Sequence, residues 1–352
     1  MQTNAKSFKN TNLWRISKDH VLRIGSLTEA TISGNYENTK CKNGDMLEKV
    51  SLREELEQAM IENSVELIVE QKRLEAKLPF IDDPLVKLKP NRYLAERVLQ
   101  SQLRNIEKNP EILEDVLKSH RKLEEKGHVS PVSSLSPEEK RGMNSTPGEG
   151  YFIPWRNVFK DGSLSTPCRM VFDASSRTPG GESLNCVLAK GQNKLAKIVH
   201  LLIQFIIQEF AVTADVSMAY NGIKLAVEHY KYQKYLWKED LNPDNPTIIM
   251  IVKTLIYGVR SAGNQTMAGF DKLADYTIKH HPEHQAGAEV LKKKAYMDDI
   301  AASTATEEEC RRVAADLEFT LAQGGMNVKA FTFSGYKPDE KVSADGENVG
   351  LI

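Results

Sequence analysis

Two adjacent carboxylates, Asp298 and Asp299, interrupt an apolar stretch of the sequence and limit how that stretch can fold. Ala295 and Tyr296 lead into the pair, and Ile300-Ala301-Ala302 follows it. Because adjacent residues of a strand point to opposite faces, both carboxylates can reach one site only if they lie at a tight hairpin turn. Holding two like charges together costs several kcal/mol unless a cation neutralises them. The pattern predicts a hairpin whose tip is either a solvated Asp-Asp turn or a site for Mg²⁺, Mn²⁺ or Ca²⁺.

A third carboxylate, Asp215, ends an upstream segment that has the pattern of a buried strand, Phe210 to Ala214. A charged group there would be costly in a core unless it binds something. If this strand lies across a sheet from the Asp298 turn, the three carboxylates can bridge two divalent ions about 3.5 to 4 Å apart, which suits an in-line attack on phosphorus. An aromatic residue, Tyr220, comes five positions after Asp215.

The sequence Tyr296-Met297-Asp298-Asp299 after an upstream Asp215-x-x-x-x-Tyr220 resembles the active-site pattern of reverse transcriptases. Further stretches are similar to that family: Cys168-Arg169-Met170-Val171-Phe172-Asp173, Gly181-Glu182-Ser183-Leu184-Asn185, Ile256-Tyr257-Gly258-Val259-Arg260-Ser261-Ala262 and Ala330-Phe331-Thr332-Phe333-Ser334-Gly335. Together they look most like the BEL/Pao group of long-terminal-repeat retrotransposons. The resemblance covers the chain from about Ser51 to its C-terminus and is most specific between Arg169 and Asp299.

The resemblance implies an α+β polymerase fold, with fingers and an antiparallel palm sheet that carries helices on one face. We expect a poorly ordered leader over residues 1–50, a mostly helical extension over 51–128, and the fingers and palm over 129–352, ending before a thumb and an RNase H domain. The implied partners are an RNA or DNA template–primer duplex, dNTPs, Gag, RNase H and integrase. The implied location is the cytoplasm, including virus-like particles.

The resemblance also implies an RNA-directed DNA polymerase, which transfers a nucleotide from a dNTP to a primer 3′-hydroxyl with two Mg²⁺ or Mn²⁺ ions. Asp215 and Asp298 would ligate both ions, and Asp299 would be a weaker or conditional ligand. Arg169 would grip the triphosphate, and Tyr220 would stack under the deoxyribose and exclude a 2′-hydroxyl. Tyr257 and Gly258 would form the floor near the template and nucleotide. Tyr296 and Met297 would contact the primer terminus.

Several of these residues also have an ordinary structural explanation. Arg169 could form a surface salt bridge with Asp173, Tyr220 could be a buried tyrosine with a paired hydroxyl, and Gly258 could be a plain strand-end glycine. For the whole chain, the alternatives are an RNA-templated RNA polymerase and a catalytically idle or host-adopted fragment that only binds nucleic acid or protein. The sequence departs from the family at Ala262-Gly263, where related elements carry Ser-Pro.

The overall composition gives no general support for nucleic-acid binding, since the formal net charge is −1. Basic residues must then act locally, or else form ordinary solvated surfaces. Two groups stand out: Lys87, Lys89, Arg92, Arg97 and Arg104, and Lys292-Lys293-Lys294. Four cysteines without a CxxC pair argue against a zinc ribbon or a disulfide framework. The richest apolar stretch, residues 198–212, is too short and too polar to span a membrane.

Local patterns predict where helices and strands lie along the chain. Capping boxes at Ser51/Glu54 and Thr306/Glu309 begin two helices, the first with a stripe of Leu52, Leu56, Ala59 and Met60. Further helices are predicted over Leu94 to Ile106, Ile112 to Leu123 and Gly263 to His281. A loop is predicted from Ser130 to Gly150. Tyr151 to Phe159 and Arg169 to Asp173 form a predicted hairpin. The palm sheet is expected from strands near 210–215, 234–237, 247–259 and 295–303. His280, His281 and His284 surround Pro282 and could bind a metal, but the helix-breaking proline favours a histidine-rich helix end.

Overall fold

Helices alternate with small β-sheets in the computed structural model, which describes residues 51–146, 148–159, 168–177, 180–193 and 198–334. Its strands form one sheet of four strands, two of three strands and one of two strands. The architecture is therefore mixed α and β, compatible with the predicted α+β class. The predicted leader and the residues after 334 lie outside the described ranges.

The N-terminal part contains four helices and one hairpin: α1 (Leu52–Asn63), β1 (Val65–Ile68), β2 (Arg73–Ala76), α2 (Pro84–Lys87), α3 (Arg92–Lys108) and α4 (Leu113–Glu125). The predicted capping box forms, because the Ser51 hydroxyl accepts from the Glu54 amide and the Glu54 carboxylate accepts from the Ser51 amide. Gly127, with φ of +67°, follows the end of α4 as predicted. The β1–β2 hairpin was not predicted in this mostly helical region.

The apolar stripe of α1 does not form a buried face. Its four residues are exposed: Leu52, Leu56, Ala59 and Met60. The helix instead buries Glu57, Gln58 and Ile61. The Glu57 carboxylate accepts from the backbone N–H groups of Lys190 (2.7 Å) and Gly191. Backbone donors of a distant loop thus need polar acceptors on this helix, which overrides its apolar periodicity.

The central part contains β3 (Val129–Pro131), α5 (Pro137–Met143), β4 (Trp155–Phe159) and β5 (Cys168–Phe172). The prediction of a loop from Ser130 to Gly150 is wrong, since this stretch holds the end of β3 and all of α5. Ser136 and Glu139 form a capping box with Pro137 at the first helical position, so the local signal was present in the sequence. The β4–β5 pair is antiparallel, which confirms the predicted hairpin. Its connecting residues lie outside the described ranges.

The remaining elements, in chain order, are α6 (Ile198–Ile206), β6 (Phe210–Val216), β7 (Lys224–Leu225), β8 (Lys234–Lys238), β9 (Thr247–Val252), α7 (Ala262–His280), α8 (Gln285–Lys294), β10 (Ala295–Tyr296), β11 (Asp299–Thr304), α9 (Glu307–Ala322) and β12 (Val328–Phe333). The four-stranded sheet has the order β10-β11-β6-β12, and all its pairs are antiparallel. We call it the carboxylate sheet.

The predicted single palm sheet is divided in two. Strands β8 and β9 pair with β3 in a separate sheet, and β9 ends at Val252 instead of continuing to Val259. The free side of β6 is taken by β12, which was not predicted as a strand. Phe331 and Phe333 of β12 are buried, so this late segment completes the core of the carboxylate sheet.

The carboxylate sheet has one apolar face that packs into the core. Ala214, Ile300 and Ala302 are buried there, and helices α8 and α9 contact β11. Because alternate residues share a face, Asp215 and Asp299 point to the opposite side. At the far end of that side, the Ser303 hydroxyl donates to the Gln204 carbonyl at the end of α6 (2.9 Å). Among the described helices, none is long and apolar enough to cross a membrane.

Candidate active site

The predicted acidic hairpin forms, but its turn lies one residue earlier than the predicted Asp298-Asp299 tip. Tyr296 pairs with Asp299 across β10 and β11, so Met297 and Asp298 are the two residues of the turn. Met297 has φ of +60°, a left-handed conformation that costs a residue other than glycine about 1–2 kcal/mol. The Tyr220 hydroxyl donates to the Met297 sulfur at 3.5 Å, which holds this turn residue against the Asp215–Tyr220 segment. The turn is therefore held by contacts with another part of the predicted site.

The strand that ends in Asp215 lies beside this hairpin. Asp215 pairs directly with Asp299 across β6 and β11, so their carboxylates are on one face with Cβ atoms about 5 Å apart. The Val216 amide donates to the Asp298 carbonyl at 2.8 Å, which ties the turn to β6. On the other side of Asp215, Lys329 Nζ lies 3.9 Å from Oδ2. The structure thus places Asp299, not Asp298, directly opposite Asp215, with Asp298 next to them in the turn.

The three carboxylates have the right chemistry for a hard cation but are not assembled around one. In the described part of the chain, no three His, Cys, Asp or Glu side chains gather closely enough to hold a metal ion. Carboxylate oxygens are the ligands that Mg²⁺ and Mn²⁺ prefer, and all three aspartates are half-buried, so an ion can reach them. Directly opposed like charges destabilise a strand pair, and a bound cation would relieve that cost. The donor set therefore fits Mg²⁺ or Mn²⁺.

Two tyrosines lie near the carboxylates. The rings of Tyr220 and Tyr257 lie 4.3 Å apart between centroids and are tilted by 58°. Burial, and then the negative charge of Asp298, raise the pKa of Tyr220 to about 12, so its hydroxyl is protonated at neutral pH. Burial and Asp298 also raise the pKa of Tyr257, an effect that Asp215 increases and Arg169 opposes. The Tyr257 hydroxyl is thus within electrostatic reach of residues from three separate predicted motifs.

Gly258 sits where no other residue fits without a shift. Its φ is +100°, and a Cβ atom built on it would lie 2.4 Å from the carbonyl oxygen of Phe172. Phe172 is the last residue of β5, the strand that carries Arg169. Because β9 ends six residues earlier at Val252, Gly258 is not a strand-end glycine. It lets the Tyr257 segment approach the Arg169 hairpin closely.

Asn185 joins the same two segments, and sequence reasoning assigned it no role. Its Nδ2 donates to the Gly258 carbonyl and to the Ser175 hydroxyl, each at 2.8 Å. Its Oδ1 accepts from the Arg260 amide at 2.8 Å, and Arg260 Nη1 donates to the Asn185 carbonyl. The sequence feature that could have identified it is its position in the stretch Gly181 to Asn185, which is similar to the family. This side chain positions the loop on which Tyr257 stands.

Arg169 is exposed on β5 and stays available for a ligand. No ion pair joins it to a carboxylate among the described residues. The alternative partner, Asp173, instead accepts from the Ser175 amide at 3.1 Å. The surface salt bridge considered for Arg169 is therefore not found there.

The departure from Ser-Pro at Ala262-Gly263 falls at the start of α7. A Cβ atom on Gly263 would lie 3.5 Å from Met297 Cε and 3.6 Å from the Tyr220 hydroxyl. The first turn of α7 therefore rests against the acidic hairpin. These distances are ordinary van der Waals contacts, so the contact does not require glycine at position 263.

Three of the eight basic residues singled out in the sequence form ion pairs with carboxylates. Lys292 pairs with Asp275, Lys293 with Glu289 at 2.7 Å, and Arg92 with Glu96 at 2.9 Å. These lysines and this arginine fit the alternative of ordinary solvated surfaces.

The histidines around Pro282 are structural. His284 Nδ1 bonds the Asp316 carboxylate at 2.8 Å, and its ring stacks on Phe319 with centroids 3.8 Å apart. These contacts dock the segment after α7 on α9.

Among the described residues, Cys168, Cys186 and Cys310 are free thiols.

Comparisons with known proteins add no family or relative to this picture. No protein-family model matches the chain, and no curated protein is significantly similar to it. Its function must therefore be argued from the residues and their geometry.

Proposed function

We propose that this chain supplies the fingers and palm of a right-hand RNA-directed DNA polymerase similar to those of BEL/Pao retrotransposons. Its reaction would transfer a nucleotide from a dNTP to a primer 3′-hydroxyl. The observation that carries the proposal is the register of β6 and β11, which sets Asp215 opposite Asp299 beside the Asp298 turn. Opposed carboxylates at a sheet edge are suitable ligands for divalent cations, and two-metal nucleotidyl transfer uses such ligands.

Asp215, Asp298 and Asp299 are the residues that would hold two Mg²⁺ or Mn²⁺ ions. When bound, such ions activate the attacking hydroxyl and neutralise charge on the leaving pyrophosphate. The exposed guanidinium of Arg169 is a planar fork that matches the oxygens of a triphosphate. Its charge reaches Tyr257, where it opposes the rise in pKa caused by burial and Asp298, so the phosphates would bind near the carboxylates.

The tyrosines and Gly258 would shape the nucleotide pocket. Tyr220 is protonated, partly buried and held by Met297, so it offers a fixed apolar edge to a deoxyribose. Tyr257 keeps 45% of its surface exposed and can stack beside a base. The close approach of Gly258 to β5 sets the distance between this floor and Arg169. Positioning of substrate groups in this way is a large part of phosphoryl-transfer catalysis.

Primer extension on an RNA template, with dNTPs and either Mg²⁺ or Mn²⁺, tests the proposal. We expect Asp215→Asn and Asp298→Asn to lower incorporation by more than about 100-fold, since loss of a residue that merely supports a metal ligand costs about 10- to 100-fold. The matched control is Asp275→Asn, an exposed aspartate paired with Lys292 on the surface. Its incorporation should equal that of the unchanged chain.

Three results would overturn the proposal. Retained incorporation in Asp215→Asn would show that the carboxylate sheet is not the catalytic centre. Incorporation from NTPs in place of dNTPs would indicate an RNA-templated RNA polymerase. Binding of the template–primer without any incorporation would support a fragment that only binds nucleic acid.

A further inference from the structure

Three lysines form a stripe along helix α4. Lys118, Lys122 and Lys126 are spaced by four residues, so they share one side of the helix and its C-terminal end with successive separations of about 6 Å. All three are exposed. We call them the α4 lysine stripe. Acidic residues interrupt this part of the sequence, so the stripe becomes visible only when the segment is folded into a helix.

The stripe lies beside the candidate active site. Helix α4 packs against β5, and the Ser119 hydroxyl accepts from the Met170 amide at 3.2 Å, next to Arg169. Burial of its ammonium group lowers the pKa of Lys122, and so do the charges of Lys126, Lys329, Lys118 and Arg169. Lys329 in turn lies 3.9 Å from Asp215. Five cations therefore share one region that reaches from α4 to the carboxylate sheet.

These charges are not compensated inside the described part of the protein. No ion pair joins the three stripe lysines or Arg169 to a carboxylate there, although the neighbouring Arg121 pairs with Glu114 at 2.8 Å. Asp115 lies on the same side of α4, where its charge adds to the effect of burial in raising the pKa of Cys168 to about 11. Like charges four residues apart destabilise a helix by about 0.2–0.5 kcal/mol per pair. A polyanion bound along the stripe would remove this cost.

We infer that the α4 lysine stripe is a track for the phosphate backbone of the template–primer, running past the candidate site. Successive lysines are about 6 Å apart and each nucleotide of a B-form strand rises about 3.4 Å, so one lysine faces about every second phosphate. Ammonium groups recognise phosphates without regard to sequence, which suits a polymerase that must accept any template. The inference deepens the proposed function and rests on it for the identity of the nucleic acid.

The test is the salt dependence of template–primer binding, measured by fluorescence anisotropy without dNTPs between about 50 and 200 mM KCl. The variant replaces Lys118, Lys122 and Lys126 by Gln, which keeps helix propensity and removes three charges. Each lost phosphate contact lowers the slope of log affinity against log salt by about 0.9, so three contacts lower it by about 2.7. The matched control replaces Lys292, Lys293 and Lys294 by Gln, and its slope should change by less than one contact.

The outcomes separate this inference from the proposed function. An unchanged slope in the α4 variant overturns the inference, and so does an equal loss in both variants, which would report net charge alone. Absence of binding by the unchanged chain overturns it as well. A reduced slope in the α4 variant without any primer extension by the unchanged chain supports the track and refutes the polymerase. Circular dichroism of both variants checks that they remain folded.

Discussion

The close approach at Gly258 gives the sharpest structural prediction. In Gly258→Ala, the new Cβ would lie 2.4 Å from the Phe172 carbonyl oxygen, and the backbone would have to keep φ near +100°. A left-handed conformation costs a residue other than glycine about 1–2 kcal/mol, and forced overlap in a packed region costs about 1–3 kcal/mol. The free energy of unfolding should therefore fall by about 2–5 kcal/mol. Primer extension should fall with it, because the Tyr257 floor can relieve the clash only by moving away from Arg169.

The matched control is Gly127→Ala. Gly127 also has a positive φ, +67°, but a Cβ atom there would meet nothing within 4 Å. It carries backbone strain without overlap, so its loss should be only about 1–2 kcal/mol. Guanidinium denaturation of both variants measures the difference. If Gly258→Ala is as stable as Gly127→Ala, the contact with Phe172 does not hold the site and the reasoning is wrong.

Three further predictions concern groups around the same core. Asn185→Ala should lower stability by about 1–3 kcal/mol and reduce nucleotide incorporation, because it leaves the Gly258 carbonyl and the Arg260 amide without their partner; unchanged kinetics in primer extension would contradict this. Burial lowers the pKa of His120 from 6.5 to about 4, so its contribution to stability is complete above pH 6.5 and is lost as pH falls toward 4. The free energy of unfolding lost in this way is about 3 kcal/mol at most. In His120→Gln, the denaturation midpoint should therefore depend less on pH between about pH 7 and about pH 5. Burial also lowers the pKa of Lys234 from 10.5 to about 8, so stability should rise as pH increases from about 8 to 10.5, and Lys234→Met should abolish that rise.

Local features of the fold were predictable because they depend on neighbouring residues. The capping box at Ser51 and Glu54 and Gly127 after α4 form where the sequence places them, and the acidic hairpin forms with its two-residue turn one position earlier, at Met297 and Asp298. The same holds for the β4–β5 pair, whose strands are close in the chain. Each of these features is decided by hydrogen bonds or turn geometry within a few residues.

Features decided by distant partners were not predictable. Glu57 is buried because it accepts from amides of residues 190 and 191, more than a hundred positions away, and nothing within α1 announces that contact. Strand β9 pairs with Val129–Pro131 and leaves the edge of β6 to β12 for the same reason. The site depends on both kinds of information. Its acidic turn is local, whereas the opposition of Asp215 to Asp299 exists only through sheet pairing.

Charge shows why contiguous residues can mislead. The run Lys292-Lys293-Lys294 is the more obvious basic feature of the sequence, yet carboxylates from α7 and α8 pair with its first two members. Lys118, Lys122 and Lys126 are not contiguous, and Glu124 and Glu125 lie between the last two, but the three lysines share one side of α4 without ion pairs in the described structure. The carboxylate sheet shows the complementary situation, with Asp215 and Asp299 directly opposed.

The protein therefore holds two charge clusters of opposite sign, which meet at Lys329 and Asp215. A bound cation would be redundant if Lys329 alone neutralised the carboxylate of Asp215 and those beside it. At 3.9 Å between half-exposed groups, that pair is worth only about 0–1 kcal/mol, which is less than burying like charges together costs. A divalent cation on the sheet and a polyanion along α4 would satisfy both clusters at once. Binding of each should therefore strengthen binding of the other, and Mg²⁺ should increase template–primer affinity in the unchanged chain but not in Asp215→Asn.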